Sequence, residues 1–282
     1  MRAGPLLLAL LLTVGAARPA AAQVVTTAPG QTVSAAEFGT PTDALVAALK
    51  KSWVQEARGE AVLELVFPPG STPLRRARAL PRLGAVPGLI RRNFTVTAVP
   101  DTAAGRPAVR YTLTPANPAA ARWTVTVDQT WKVLLAYREE MPGGTLARRA
   151  ELLSVGKGLS RLAQPYRVPM PAQGLKKALL AALPGLKIPA GFEPLSVKAR
   201  ANADAEVVLS DGLNVLALVV SPRAVRSASG VAARRLDNQS VWLVGNLPQE
   251  ALDTALASIR RVDTGALATL TGTFPDPAAS NQ

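Results

Sequence analysis

Residues Ile188 to Arg261 read IPAGFEPLSVKARANADAEVVLSDGLNVLALVVSPRAVRSASGVAARRLDNQSVWLVGNLPQEALDTALASIRR. Three hairpin-like strand pairs and a closing helix follow from this string. Val207 to Leu209 and Val215 to Val220 flank Asp211-Gly212, a strong hairpin signal. Asp237-Asn238 makes a second turn between Val231–Leu236 and Val241–Val244. Val215 to Val220 is apolar on both faces, which predicts a central strand. Pro248 opens a helix with Glu250 near its start and Arg260-Arg261 near its end, matching the helix dipole. Leu252, Leu256 and Ile259 form its buried stripe. The string predicts a small antiparallel α+β domain over 187–262 and a flexible tail over 263–282.

Upstream, residues 160–186 carry Pro165, Pro169, Pro171 and Pro184. Proline cannot donate to a sheet and disfavours helix before it. The stretch reads as a linker with one short helix near Leu175 to Leu183, so two separable domains are expected. Before it lies a first domain over 42–159. Thr42-Asp43 caps a helix with Leu45, Leu49 and Trp53 on one stripe, and Gly59 stops it. Period-two alternation follows. Ala61, Leu63, Leu65 and Phe67 share a face. So do Phe94, Val96 and Ala98; Val109, Tyr111 and Leu113; Trp123, Val125 and Val127; and Val133, Leu135 and Tyr137. The fold class expected is α+β: a bent antiparallel sheet closed by helices, wet on one side, followed by the smaller domain.

The N-terminus has the layout of a secretory signal over 1–22. Arg2 is the positive end, Pro5 to Val14 is an apolar core of about ten residues, and Ala20-Ala21-Ala22 suits a signal peptidase. Cleavage is expected after Ala22, with a loose leader over 23–41 and a location in the periplasm or cell envelope. No later stretch reaches about 18 uninterrupted apolar residues, so the mature chain is expected to be soluble. Losing Arg2 and Arg18 takes Lys plus Arg from 32 to 30 against 19 acids, and the formal charge from +13 to +11. Outside the cytoplasm such a charge suits lipid headgroups, wall polymers or acidic partner segments rather than nucleic acid; a coding bias toward Ala, Arg and Pro explains it equally well.

With no Cys and no His, disulfides, thiol chemistry and the commonest general base are excluded. Ser154-Val155-Gly156-Lys157 fits a Ser-x-x-Lys pattern, but its Ser ends a strand run and Gly156 follows it. Glu139-Glu140 reads as a solvated hairpin arm. The Asp and Glu spacings suggest no metal and no cofactor is expected, so the chain does not read as an enzyme.

Three sets of residues remain as candidates. Leu74 to Arg92 holds Arg75, Arg76, Arg78, Arg82, Arg91 and Arg92 with no acid. It reads either as an anionic-surface patch or as an irregular solvated connection. Leu63, Leu65, Phe67, Tyr111, Trp123 and Tyr137 either line a cavity for a lipid or acyl chain or form a packed core. Arg223 and Arg226, in the polar loop Ser221 to Gly230, either contact a protein partner or merely join two strands.

The landmarks Ile188-Pro189-Ala190-Gly191-Phe192, Ser210-Asp211-Gly212-Leu213 and Val244-Gly245-Asn246-Leu247-Pro248 resemble the C-terminal domain of the RseB/MucB family. Arg110-Tyr111-Thr112-Leu113-Thr114-Pro115 and Arg122-Trp123 to Asp128 resemble its N-terminal domain, which is similar in fold to the lipoprotein carrier LolA. The resemblance implies an exported envelope-stress regulator that binds the extracytoplasmic part of a membrane-bound anti-sigma factor and shields it from proteolysis. It also implies sensing of lipidic material. A periplasmic lipid or lipoprotein carrier is the alternative, and it leaves the second domain without a role.

Overall fold

The computed structural model describes residues 39–66, 72–166, 170–200 and 203–274. The expected signal, its cleavage site at Ala22, nearly all of the leader, Phe67 and the end of the tail lie outside the described residues. Helix α1 (Pro41–Ser52) is capped by Thr40, whose hydroxyl accepts from Asp43 N at 3.3 Å and donates to Asp43 Oδ2 at 2.9 Å. The cap lies two residues before the expected Thr42, because Pro41 needs no donor partner and is preset for a first helical turn. Trp53, not Gly59, ends the helix. Gly59 lies inside the next strand, where a Cβ would meet Ser154 O at 1.9 Å.

The first sheet follows from the alternation. Its strands are β1 (Gln55–Leu65), β2 (Thr72–Ala79), β3 (Phe94–Ala103), β4 (Arg106–Pro115), β5 (Arg122–Asp128), β6 (Leu134–Glu140), β7 (Leu146–Leu152) and β8 (Leu159–Arg161). The order is β2-β1-β7-β6-β5-β4-β3, with β8 also on β1, and every pairing is antiparallel. Leu74 to Arg92 is therefore not one irregular connection. It gives the edge strand β2 and then helix α2 (Pro87–Asn93). An edge strand tolerates charge because its outer side meets water.

On the core face, Ala98, Tyr111, Val125, Tyr137, Ala150 and Leu63 stand opposite one another across successive strands. Leu45 and Leu49 of α1, with Leu83, Ala85 and Ile90, cover that row and close the first core.

The second sheet has the order β12-β13-β11-β10-β9. Its strands are β9 (Glu193–Arg200), β10 (Ala203–Ser210), β11 (Val215–Ser221), β12 (Val231–Leu236) and β13 (Gln239–Gly245). The all-apolar run Val215 to Val220 is the central strand, as its composition requires. Helices α3 (Leu175–Ala182), α4 (Gln249–Ala257) and α5 (Thr264–Thr273) cover one face.

Two boundaries differ from the expectation. Leu175 and Leu179 of the proline-rich stretch are fully buried in the second core, so α3 belongs to that core rather than to a linker. Leu267 and Leu270 are buried as well, so Thr264 to Thr273 is a docked helix rather than a tail. Asp263 caps it by accepting from Ala266 N at 3.0 Å. Both sheets belong to one compact unit, Phe38–Gln282.

Candidate functional site

The β10–β11 turn does not face water. Ser210, Asp211, Leu213 and Asn214 are each at most 2% exposed, and Leu213 lies in the core of the first sheet. Gly212 permits this approach. Its φ is +127°, and a Cβ there would meet Ile90 N at 2.8 Å. Its carbonyl accepts from Val86 N at 2.8 Å, which ties the turn to the start of α2.

Polar groups buried by the turn are satisfied across the junction. Asn214 Oδ1 accepts from Trp123 Nε1 at 2.9 Å. Asn214 Nδ2 donates to Asp211 Oδ2 at 2.7 Å and to Ala121 O at 3.2 Å. Asp211 Oδ1 accepts from Leu213 N and Asn214 N at 3.1 and 2.9 Å. Asn93 Nδ2 donates to both Gly191 O and Asp211 O at 2.8 Å. Such buried networks are stable only when every member has a partner.

One row of the first sheet faces this turn: Leu113, Trp123, Glu139, Arg148 and Leu65 stand opposite one another in turn. Glu139 is 3% exposed, so it is not a solvated hairpin arm. The reason is geometric: alternation that turns Tyr137 inward turns Glu139 inward too. Arg148 Nε donates to Glu139 Oε2 at 2.5 Å, and the guanidinium lies 4.7 Å from the Trp123 ring centre. Burial raises the Glu139 carboxyl above its ordinary pKa; Arg148 opposes this and the nearby Asp211 adds to it. Burial likewise raises Asp211, against the hydrogen bonds from Asn214 and Leu213. At the far end of β5, burial works against the charge of Asp128. Arg106 at 2.5 Å, with the amides of Trp131 and Thr130, outweighs it and holds that carboxyl low.

The candidate residues separate into groups. Trp123 is fully buried, Tyr111 and Tyr137 are nearly so, and Leu63 packs at the margin of the same core. Leu65 is 41% exposed at the end of β1. Beside this core, the space among Leu49, Trp53, Leu80, Leu83 and Leu134 is about 30 Å³, room for a single water. The arginines do not form one patch. Arg75, Arg76 and Arg78 lie on β2, with Arg82 beyond it, all four exposed. On α2, Arg91 binds Asp43 at 2.8 Å and Arg92 binds Glu193 at 3.2 Å. Arg223 and Arg226 are exposed on a loop that its own bonds shape: Arg223 N donates to Ser221 Oγ, and Arg235 Nη1 to Pro222 O.

Grooves also run around the Ile188–Phe192 passage between the sheets. One of about 490 Å³ is lined by Asn117, Ile188, Pro189, Leu247, Pro248 and Ala251, among others. Among the described residues, no group of three acidic side chains is placed to hold a metal ion.

This two-sheet arrangement matches solved structures. A crystal structure of MucB aligns at TM-score 0.50 with 16% identity, covering 77% of this chain and 96% of that one. The chain has the MucB fold. Two complexes align similarly. MucB in complex with MucA(peri) gives TM-score 0.51 and 17% identity over 79% of this chain and 98% of that one. The Pseudomonas aeruginosa MucA/MucB complex gives 0.53 and 16% over 79% and 99%. No family model matches the sequence, and no curated protein matches it. The likeness therefore lies in the fold, and it covers nearly the whole of the MucB chain.

Proposed function

We propose that this chain is an exported regulator that binds the extracytoplasmic part of a membrane-bound anti-sigma factor and modulates its proteolysis. The observation that carries this reading is the MucB fold, found over nearly the whole length of MucB, including MucB bound to MucA(peri). A lone LolA-type carrier would not need the second sheet, whose turn closes the core of the first. The absence of His and Cys from the sequence also favours binding over catalysis. Among the described residues no helix is long and apolar enough to cross a membrane, which suits a partner reached from the envelope side.

In this proposal the exposed Arg223 and Arg226 contact the partner, and the β2 arginines add attraction to an anionic partner or surface. Lipid sensing is a further part of it. It requires Trp53, Leu80 and Leu83 to move off the Tyr111–Trp123–Tyr137 core, which is filled as it stands. The test uses the full chain, exported from its own signal, and the extracytoplasmic segment of a single-span anti-sigma factor encoded beside it. Capture of that segment, with slower cleavage by an added site-specific protease, is expected. A chain that neither captures nor protects the segment overturns the reading.

A further inference from the structure

The first sheet ends, at β2, in a strand whose outer side is open. β2 stands last in the order and its ladder is with β1. Among the described residues no other backbone group bonds to residues 72–79. The other long edge strands each have a helix beside them. β12 lies against α4, with Arg234 Nη1 donating to Ala257 O. β9 lies beside α3 and α5, and its Leu195 packs on Val86 and Leu89. β3 lies beside α1.

The side chains of β2 carry one sign of charge. Leu74, Arg75, Arg76 and Arg78 are exposed, and Arg82 follows just beyond the strand. Arg76 is held by Glu60 at 2.6 Å. Arg75, Arg78 and Arg82 have no ion-pair partner among the described residues. Leu65, Val66 and Leu74 add exposed apolar surface at the same end of the β1–β2 pair.

Edge strands present unpaired N–H and C=O groups that another strand can complete. Charge decides which strand. A second copy of β2 would bring arginine opposite arginine, which is unfavourable across a strand pair. Arg75 and Arg78 lie on opposite faces of the strand, so an extended segment with carboxylates alternating along it would set them against one or the other while completing the ladder.

We propose that the free edge of β2 is a docking site for an extended, acidic segment of a partner protein, taken up by strand addition. This rests on the binding reading above only for the partner's identity. A lipid surface would use the arginine heads but could not complete the backbone ladder.

The probe is a short synthetic peptide alternating Glu or Asp with Val or Thr, together with a version N-methylated on alternate amides. Both are added to the full chain at low salt. Amide hydrogen exchange is read at 74–79. Expected are slowed exchange at alternate β2 amides with the parent peptide and none with the N-methylated one. The exposed double change Arg75→Glu, Arg78→Glu should weaken peptide binding about tenfold, with unchanged circular dichroism. Unprotected β2 amides overturn the proposal, as does equal binding of the N-methylated peptide. So does binding of phosphatidylglycerol vesicles through these arginines when the peptide does not bind. Undiminished capture of the anti-sigma segment by the double variant would sink the edge while leaving the regulator reading intact. Peptide uptake without capture of that segment would do the reverse.

Discussion

Two tight turns of the second sheet share a chemistry and meet opposite surroundings. Asp211-Gly212 joins β10 to β11, and Asp237-Asn238 joins β12 to β13. The first is buried in the core of the other sheet; in the second both residues are exposed. Each carries positive φ, at Gly212 and at Asp237 (49°). Turn chemistry therefore fixes the reversal of the chain but not what the reversal packs against. Leu213 makes the difference, because an apolar residue beside the turn gives it something to bury. The buried turn then brings an aspartate and an asparagine with it, and these must find partners. Trp123, Ala121 and Asn93 supply them from the first sheet.

This contrast can be broken in several ways. The largest effect is expected from Leu213→Ala, which leaves a void in the first core and should cost about 3 kcal/mol in urea unfolding. If the loss is no larger than that of a surface change, the turn does not brace the first sheet. Asn214→Ala comes next, at about 2 kcal/mol, because it strands the Trp123 indole N–H and one Asp211 oxygen. Tryptophan fluorescence should shift along with the loss of stability.

A pH series sharpens the comparison further. Asp211 and Glu139 have raised folded-state values, so the folded state holds protons where the unfolded chain has released them. Their contribution to stability therefore falls as pH rises from about 4, the ordinary carboxylate value, through the raised values. Replacing Asp211 by Asn should make this slope less negative, whatever it does to absolute stability. An unchanged slope would remove Asp211 from the account. Asp128 acts in the opposite sense: its lowered value contributes stability above about 4, lost as pH falls through the folded-state value. The smallest effect is expected at the exposed turn. Asp237→Gly should stay within about 0.5 kcal/mol of the parent, since glycine accepts the positive φ. A large loss there would show that the two turns are not so different.

Much of this arrangement was legible in the residues. Asp211-Gly212, the apolar run Val215 to Val220 and Pro248 located a five-stranded sheet's centre and its closing helix. Strict alternation located β3 to β6. Burial of the turn was not legible, because a polar Ser-Asp-Gly string reads as solvent-facing and its partners lie some ninety residues earlier. The inward Glu139 was legible in principle, being two residues from Tyr137. Its charge masked the signal, and its partner Arg148 comes from another strand. The β2 strand was hidden by its arginines, since edge position rather than apolar pattern makes it a strand. Helix α3 was legible as a short helix but its place in the second core was not, because prolines flank it, and α5 was hidden by its small residues. Each contributes only two large buried side chains.

The buried turn is expected to make the two sheets open as one body. Native-state hydrogen exchange in rising denaturant tests it most directly. Amides of Val125 in β5 and Leu218 in β11 should converge on one opening free energy, and Leu213→Ala should lower both by the same amount. If Leu218 loses protection in that variant while Val125 keeps the parent value, the sheets open independently and the account is wrong.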